Sequence, residues 1–185
     1  MKRLAVLMTC HNRREKTVSC LRRLFAQHGI DDVEVTVFLV DDGCTDGTGD
    51  AVQKEFPAVV IITGNGELFW NQGMRLAWDM ASKQDFDYYL WLNDDTFLFD
   101  NALAVLLHAF RSLDGERHIV VGATSSANDP VQTTYSGRVT RGGLIPPNGQ
   151  MQPCEEFNGN VVLIPAAVFR ELGNLDPFFR HSFGD

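Results

Sequence analysis

Four short, predominantly apolar runs, each followed by a segment of helical period, constrain the fold of this chain more than any other feature. The runs are Leu4–Met8, Val33–Val40, Val59–Ile62 and Tyr88–Leu92. Strands covered on both faces read as near-continuous apolar runs, and helices between them impose parallel pairing through right-handed crossovers. The intervening segments carry the matching stripes. Lys16–Gln27 places Val18, Leu21, Leu24 and Phe25 on one helix face, and Ala51, Val52 and Phe56 belong to a helix that stops at Pro57. Phe69–Ser82 turns Met74, Ala77, Trp78 and Ala81 inward, and Asn101–Leu113 supplies a fourth helix. The class is α/β, with a Rossmann-like, mostly parallel sheet flanked by helices.

The second half departs from this rhythm. Ile119–Val121 is a short strand, after which Gly, Pro, Ser, Asn and Thr dominate up to Pro153, predicting a loop or hairpin region that is partly mobile. Val161–Ile164 and a helix over Ala166–Leu172 close the pattern, with no internal repeat or low-complexity tract. The chain stops at Asp185 directly after an aromatic run, Phe178–Phe183, which reads as a piece of a longer protein.

At 185 residues the chain is long enough for one domain with a real core, and 44% apolar residues exclude a disordered class. The net charge of −8 argues against nucleic acid as a partner, since that binding draws on a basic face. Cys10, Cys20, Cys44 and Cys154 form no CxxC and have no His at ligand spacing, so they read as reduced thiols without a metal or disulfide role. The basic-apolar start is interrupted by Thr9–Arg13, too soon for a signal peptide, and no apolar run spans a bilayer. The expected location is cytoplasmic, with membrane contact at most peripheral, at the inner face.

Acidic clusters end two of the strands: Asp41 and Asp42 follow Val40, and Asn93, Asp94 and Asp95 follow Leu92. In an open α/β sheet, ligands bind outside the carboxyl ends of the strands. Two adjacent carboxylates repel, and a cation relieves them; Mg²⁺ and Mn²⁺ are held by one or two carboxylates plus substrate phosphates. This gives Asp94 and Asp95 as metal ligands, against the simpler alternative that Asp95 or Asp100 caps the following helix. A carboxylate of the Asp41–Asp42 pair can accept the imide N–H of a pyrimidine, although Asp-Gly is also ordinary turn chemistry. The stretch Asp42–Gln53 is no calcium loop, because Cys44 stands at its third position and Gln53 at its last. Between the third strand and its helix, Gly64–Gly73 offers glycines for close backbone approach, Trp70 to stack on a sugar and Asn71 to bond its hydroxyls. Core packing is the competing reading for Phe69 and Trp70. His181 and Asp185 share a polar-aromatic terminus, where a carboxylate is a candidate general base.

The segments Val6–Arg13, Val40–Asp46, Asn93–Asp95 and Gly184–Asp185, in this order along the whole chain, resemble family 2 glycosyltransferases of the GT-A fold. Gly66–Met74 is similar to a bacterial rhamnosyltransferase-like subgroup. The resemblance implies an inverting transfer from a UDP- or dTDP-linked sugar to a glycan or lipid-linked acceptor, in polysaccharide or glycan synthesis, with Mn²⁺ or Mg²⁺. It implies that Thr9, Asn12, Asp41, Asp42 and Asp94 bind the nucleotide and that Asp94 and Asp95 hold the metal. Trp70, Asn71, Gly159 and Asn160 would line the donor sugar, and Asp185 would be the catalytic base. It divides the single domain into a nucleotide-binding half, 1–115, and a donor-sugar and acceptor half, 116–185. Two departures stand out: Asn93 replaces an Asp, and the arginine-containing segment that follows the base in the family is absent. The alternatives are a nucleotidyltransferase, which needs a Gly-rich basic loop after the first strand, and a catalytically inert nucleotide-sugar-binding piece.

Overall fold

The computed structural model describes residues 1–140 and 142–180. The first half contains β1 (Lys2–Cys10), α1 (Arg14–Phe25), β2 (Val33–Asp41), α2 (Thr48–Glu55), β3 (Val60–Thr63), α3 (Phe69–Ala81), β4 (Tyr88–Leu92) and α4 (Ala102–Arg111). The second contains β5 (Val120–Val121), β6 (Thr124–Ser126), β7 (Asp129–Tyr135), β8 (Gly137–Arg138), β9 (Glu156–Phe157), β10 (Val161–Pro165) and α5 (Ala166–Leu172). Six strands form the central sheet in the order β3-β2-β1-β4-β10-β5. The pairs β3-β2, β2-β1 and β1-β4 are parallel, whereas β10 runs antiparallel to both β4 and β5. Strand order reverses between β1 and β4, which opens a crevice at their carboxyl ends. The Gly- and Pro-rich stretch folds as two small antiparallel pairs, β6-β7 and β8-β9. Among the described residues no helix is long and apolar enough to cross a membrane.

The helix starts differ from their sequence expectation for a non-local reason. Helix α1 begins at Arg14, and its amide N–H is satisfied by Asp46 Oδ2 at 3.0 Å. Likewise the Leu103 N–H of α4 donates to Gln27 Oε1 at 2.9 Å. These partners occupy orphan donors that a local cap would otherwise have to serve.

Alternation along the strands sorts side chains onto two cores. Leu4, Val6, Met8, Leu39, Leu90 and Leu92 face α1, α2 and α4; Ala5, Leu7, Val40, Tyr89 and Trp91 face α3 and α5. Carried past the strand ends, the same parity turns Cys10, Asp41 and Asp94 toward the α1–α2 side, and Thr9, Asp42 and Asn93 toward α3.

Candidate functional site

The ends of β1 and β2 lie side by side, with Cys10 in register with Asp41. The turn after β2 doubles back at Gly43, whose φ of +65° places it in the left-handed region. A Cβ there would lie 2.8 Å from the Gly66 Cα, so the close approach of the two backbones depends on Gly43 carrying no side chain. The residues after β1 brace this turn. The Asn12 Oδ1 accepts the Thr45 N–H at 2.7 Å, and Asn12 itself sits at a φ of +51°. The His11 Nδ1 faces the Asp42 carbonyl, which can only accept, so Nδ1 carries the hydrogen and Nε2 accepts from Asn12 Nδ2 at 3.1 Å.

Asp41 and Asp42 have different environments. Asp42 is 3% exposed, and its carboxylate accepts three backbone amides: Gly66 at 2.8 Å, Leu68 at 2.9 Å and Phe69 at 3.2 Å. It holds the segment leading into α3, including Phe69, which has a φ of +55° that a bulky side chain rarely adopts. Both Asp42 oxygens are thus engaged on the α3 side. Asp41 is half-buried, and one of its oxygens accepts the Cys44 N–H at 2.9 Å. Thr9 packs under α3 at Gly73, where a Cβ would lie 2.8 Å from the Thr9 Cβ.

At the end of β4, parity separates Asp94 from Asp95. Asp94 is buried; Thr17 Oγ1 donates to its Oδ2 at 3.1 Å, and Arg13 lies 3.4 Å from its Oδ1. Asp95 is 32% exposed and lies between Arg13 at 3.0 Å and Lys16 at 3.7 Å. Burial pushes the Asp94 carboxyl up to about 6, with Arg13 and Thr17 pulling the other way. A folded-state value above the ordinary one means that stability present near pH 4 is lost as pH rises through about 6. Asp94→Asn is therefore expected to gain on the wild type by up to about 3 kcal/mol between pH 4 and pH 7, since each tenfold change in proton affinity is worth about 1.4 kcal/mol. Urea unfolding of both proteins at the two pH values checks this, and a constant difference would remove the ionisation cost.

Asn71 is fully buried, and its Nδ2 donates to the Asp176 carbonyl at 2.9 Å and to the Phe179 carbonyl at 2.8 Å. Together with the Asn71 N–H to Arg180 O at 3.1 Å and Gln72 Nε2 to Pro177 O at 2.7 Å, it stitches the segment 176–180 onto α3. Trp70 is half-buried, edge-on to Trp91, and its indole N–H donates to Asn93 Oδ1 at 2.7 Å. Asn93 thus serves as an acceptor for the indole, a role open to an uncharged amide. The Gly159–Asn160 turn is brought beside β4, with the Asn93 N–H donating to Asn160 O at 3.0 Å. Asp185 and His181 lie outside the described residues.

Sequence reasoning did not single out Arg13, Lys16 and Thr17, the residues that meet Asp94 and Asp95. Their signal is the i, i+3, i+4 spacing that puts all three on one face at the start of a helix.

No match was found among curated protein sequences. The fold is shared with solved glycosyltransferase structures. The crystal structure of S. aureus TarS 1-349 aligns over 100% of this chain and 52% of its own, with 14% identity and a TM-score of 0.65. The same protein in complex with UDP-GlcNAc aligns over 95% and 49%, with 14% identity and a TM-score of 0.60. The mannosyltransferase PcManGT from Pyrobaculum calidifontis, in complex with GDP-Man and Mn²⁺, aligns over 94% and 47%, with 16% identity and a TM-score of 0.57. The chain spans about half the length of these structures, and its mixed, mostly parallel sheet is the GT-A arrangement. Residues 5–170 match the family described as Glycosyl transferase family 2, and this chain belongs to that family.

Proposed function

We propose that the chain carries the donor-binding core of an inverting glycosyltransferase that moves a sugar from a nucleoside diphosphate to an acceptor hydroxyl, in polysaccharide or glycan synthesis. The observation that carries this reading is the convergence of the β1, β2 and β4 ends at the reversal of strand order, with a half-buried carboxylate at Asp95. Asp41, not Asp42, reads the base, because only Asp41 is half-exposed and not enclosed by three amides. A pyrimidine imide N–H is its partner, which favours a UDP- or dTDP-linked donor.

Mn²⁺ or Mg²⁺ fits the residues in part. Asp95 presents a partly exposed carboxylate that would serve as one ligand of a hard cation, together with diphosphate oxygens, if the cation displaced its pairs with Arg13 and Lys16. Asp94 does not fit as a second ligand: it is buried and engaged with Thr17 and Arg13. Such a cation offsets charge developing on the leaving diphosphate. With a cation held by Asp95, Arg13 and Lys16 would be free to pair with the phosphates, where a guanidinium and an ammonium would add to the same stabilisation. Gly159 and Asn160 line the donor sugar beside Trp70, and Asp185 takes the proton of the attacking hydroxyl. That the donors carried by the aligned structures are UDP-GlcNAc and GDP-Man supports a nucleotide-sugar donor in this cleft. A rhamnosyl donor and a lipid-linked or glycan acceptor are the finer form of the proposal. A nucleotidyltransferase is disfavoured because the turn after β1 is closed by Asn12 against Thr45 and offers no glycine loop.

Calorimetric titration of UDP, dTDP and GDP, with Mn²⁺ and with EDTA, followed by a donor hydrolysis assay, tests the reading. Pyrimidine diphosphates are expected to bind at least tenfold more tightly in Mn²⁺. No binding of any nucleoside diphosphate would overturn the function, and equal affinity in EDTA would remove the metal from it.

A further inference from the structure

On the α1–α2 side of the cleft, two thiols that no step of the transfer uses, Cys10 and Cys44, converge on Asp41, the carboxylate proposed above to read the base. Cys10 Sγ and Cys44 Sγ are 3.9 Å apart, and with an Asp41 carboxylate oxygen all three ligand atoms fall within 4.8 Å of one another. Two thiolates on a tetrahedral zinc ion, each about 2.3 Å from the metal, are held about 3.8 Å apart. A disulfide instead requires the sulfurs to close to about 2.05 Å. The observed separation, an S–H···S contact between the thiols, is close to the first span and far from the second.

We infer that Cys10, Asp41 and Cys44 form a binding site for a thiophilic divalent cation, Zn²⁺ above all, separate from the hard-cation position at Asp95. The backbone builds this trio. Cys10 and Asp41 are registered partners on adjacent parallel strands, so their side chains share a face. Cys44 is returned to that face by the turn at Gly43 and fixed by its N–H to Asp41 Oδ1. The Asn12 N–H approaches Cys44 Sγ at 3.2 Å, the kind of outer contact that steadies a metal-bound thiolate. Cys10 is buried while Asp41 and Cys44 are half-exposed, so the triangle opens toward the cleft and leaves a fourth position for water. Binding replaces the two S–H bonds with two metal–sulfur bonds and releases two protons to solvent, leaving every oxidation state unchanged. Cys20 and Cys154 take no part in the trio.

The test uses the metal alone on the reduced protein and so does not depend on the transferase reading. Co²⁺ titration is expected to give the visible d–d bands and the near-ultraviolet thiolate charge transfer of a tetrahedral site at one equivalent, bleached by one equivalent of Zn²⁺. Cys44→Ser and Cys44→Ala, each checked for native circular dichroism, are expected to abolish the signal. Asp41→Asn is expected to weaken Co²⁺ at least tenfold, and Cys154→Ser to change nothing. Absence of the bands in the reduced wild type would overturn the site. So would bands that persist in both Cys44 variants, or a mild oxidant converting Cys10 and Cys44 to a disulfide in a protein that never bound Co²⁺ when reduced.

Discussion

Asp42→Ala is expected to destabilise the protein by about 3–5 kcal/mol, because hydrogen bonds to a charged group are worth roughly 1.5–3 kcal/mol each and three amides lose their acceptor together. The amides of Gly66, Leu68 and Phe69 all lose this acceptor once the buried carboxylate is gone, and Phe69 holds a strained backbone conformation. For a chain of this size that loss lowers Tm by roughly 6–20 °C, at about 2–4 °C per kcal/mol. Thermal unfolding followed by circular dichroism measures it. A shift below about 2 °C would return Asp42 to the role the sequence suggested, that of a ligand contact with little structural weight.

Asp95→Asn is expected to do the opposite: leave the fold intact and remove function. Its ion pairs with Arg13 and Lys16 are exposed, and exposed pairs contribute about 0–1 kcal/mol. Loss of the charge removes the one open carboxylate at the end of β4, so nucleoside diphosphate affinity in Mn²⁺ and turnover should each fall roughly a hundredfold, at the upper end of what even an outer-shell partner of a metal commonly costs. Calorimetry and a transfer assay, beside an unchanged Tm, check this. Wild-type affinity in the variant would place the cation elsewhere.

The comparison of these two aspartates shows how far the sequence reaches. The strands, their acidic ends and their gathering at one edge of the sheet are legible, because apolar runs and helical stripes are set by local periods. The antiparallel direction of β10 is not, since a five-residue apolar strand reads alike in either direction. Nor is the fate of Asp42, which depends on a loop that begins after the next strand and on which side of the sheet position 42 falls. Counting parity from Leu39 and Val40 would have assigned Asp41 and Asp42 to opposite sides, and from Leu92 would have separated Asn93 from Asp94. The packing of Asn71 is hidden for a related reason: the partners of its Nδ2, the carbonyls of Asp176 and Phe179, lie far along the chain. Cys10 and Cys44 are hidden in the same way, since metal-ligand spacing is recognisable only when the ligands come from one turn.

Helix α3 is tied at both sides of its first turns, by Asp42 to the segment before it and by Asn71 and Gln72 to residues 176–180. It therefore acts as a lever with two loads. A shift of the Gly64–Phe69 segment would pull on the same helix start that holds residues 176–180, so under the proposed function a donor settling against one would be felt at the other.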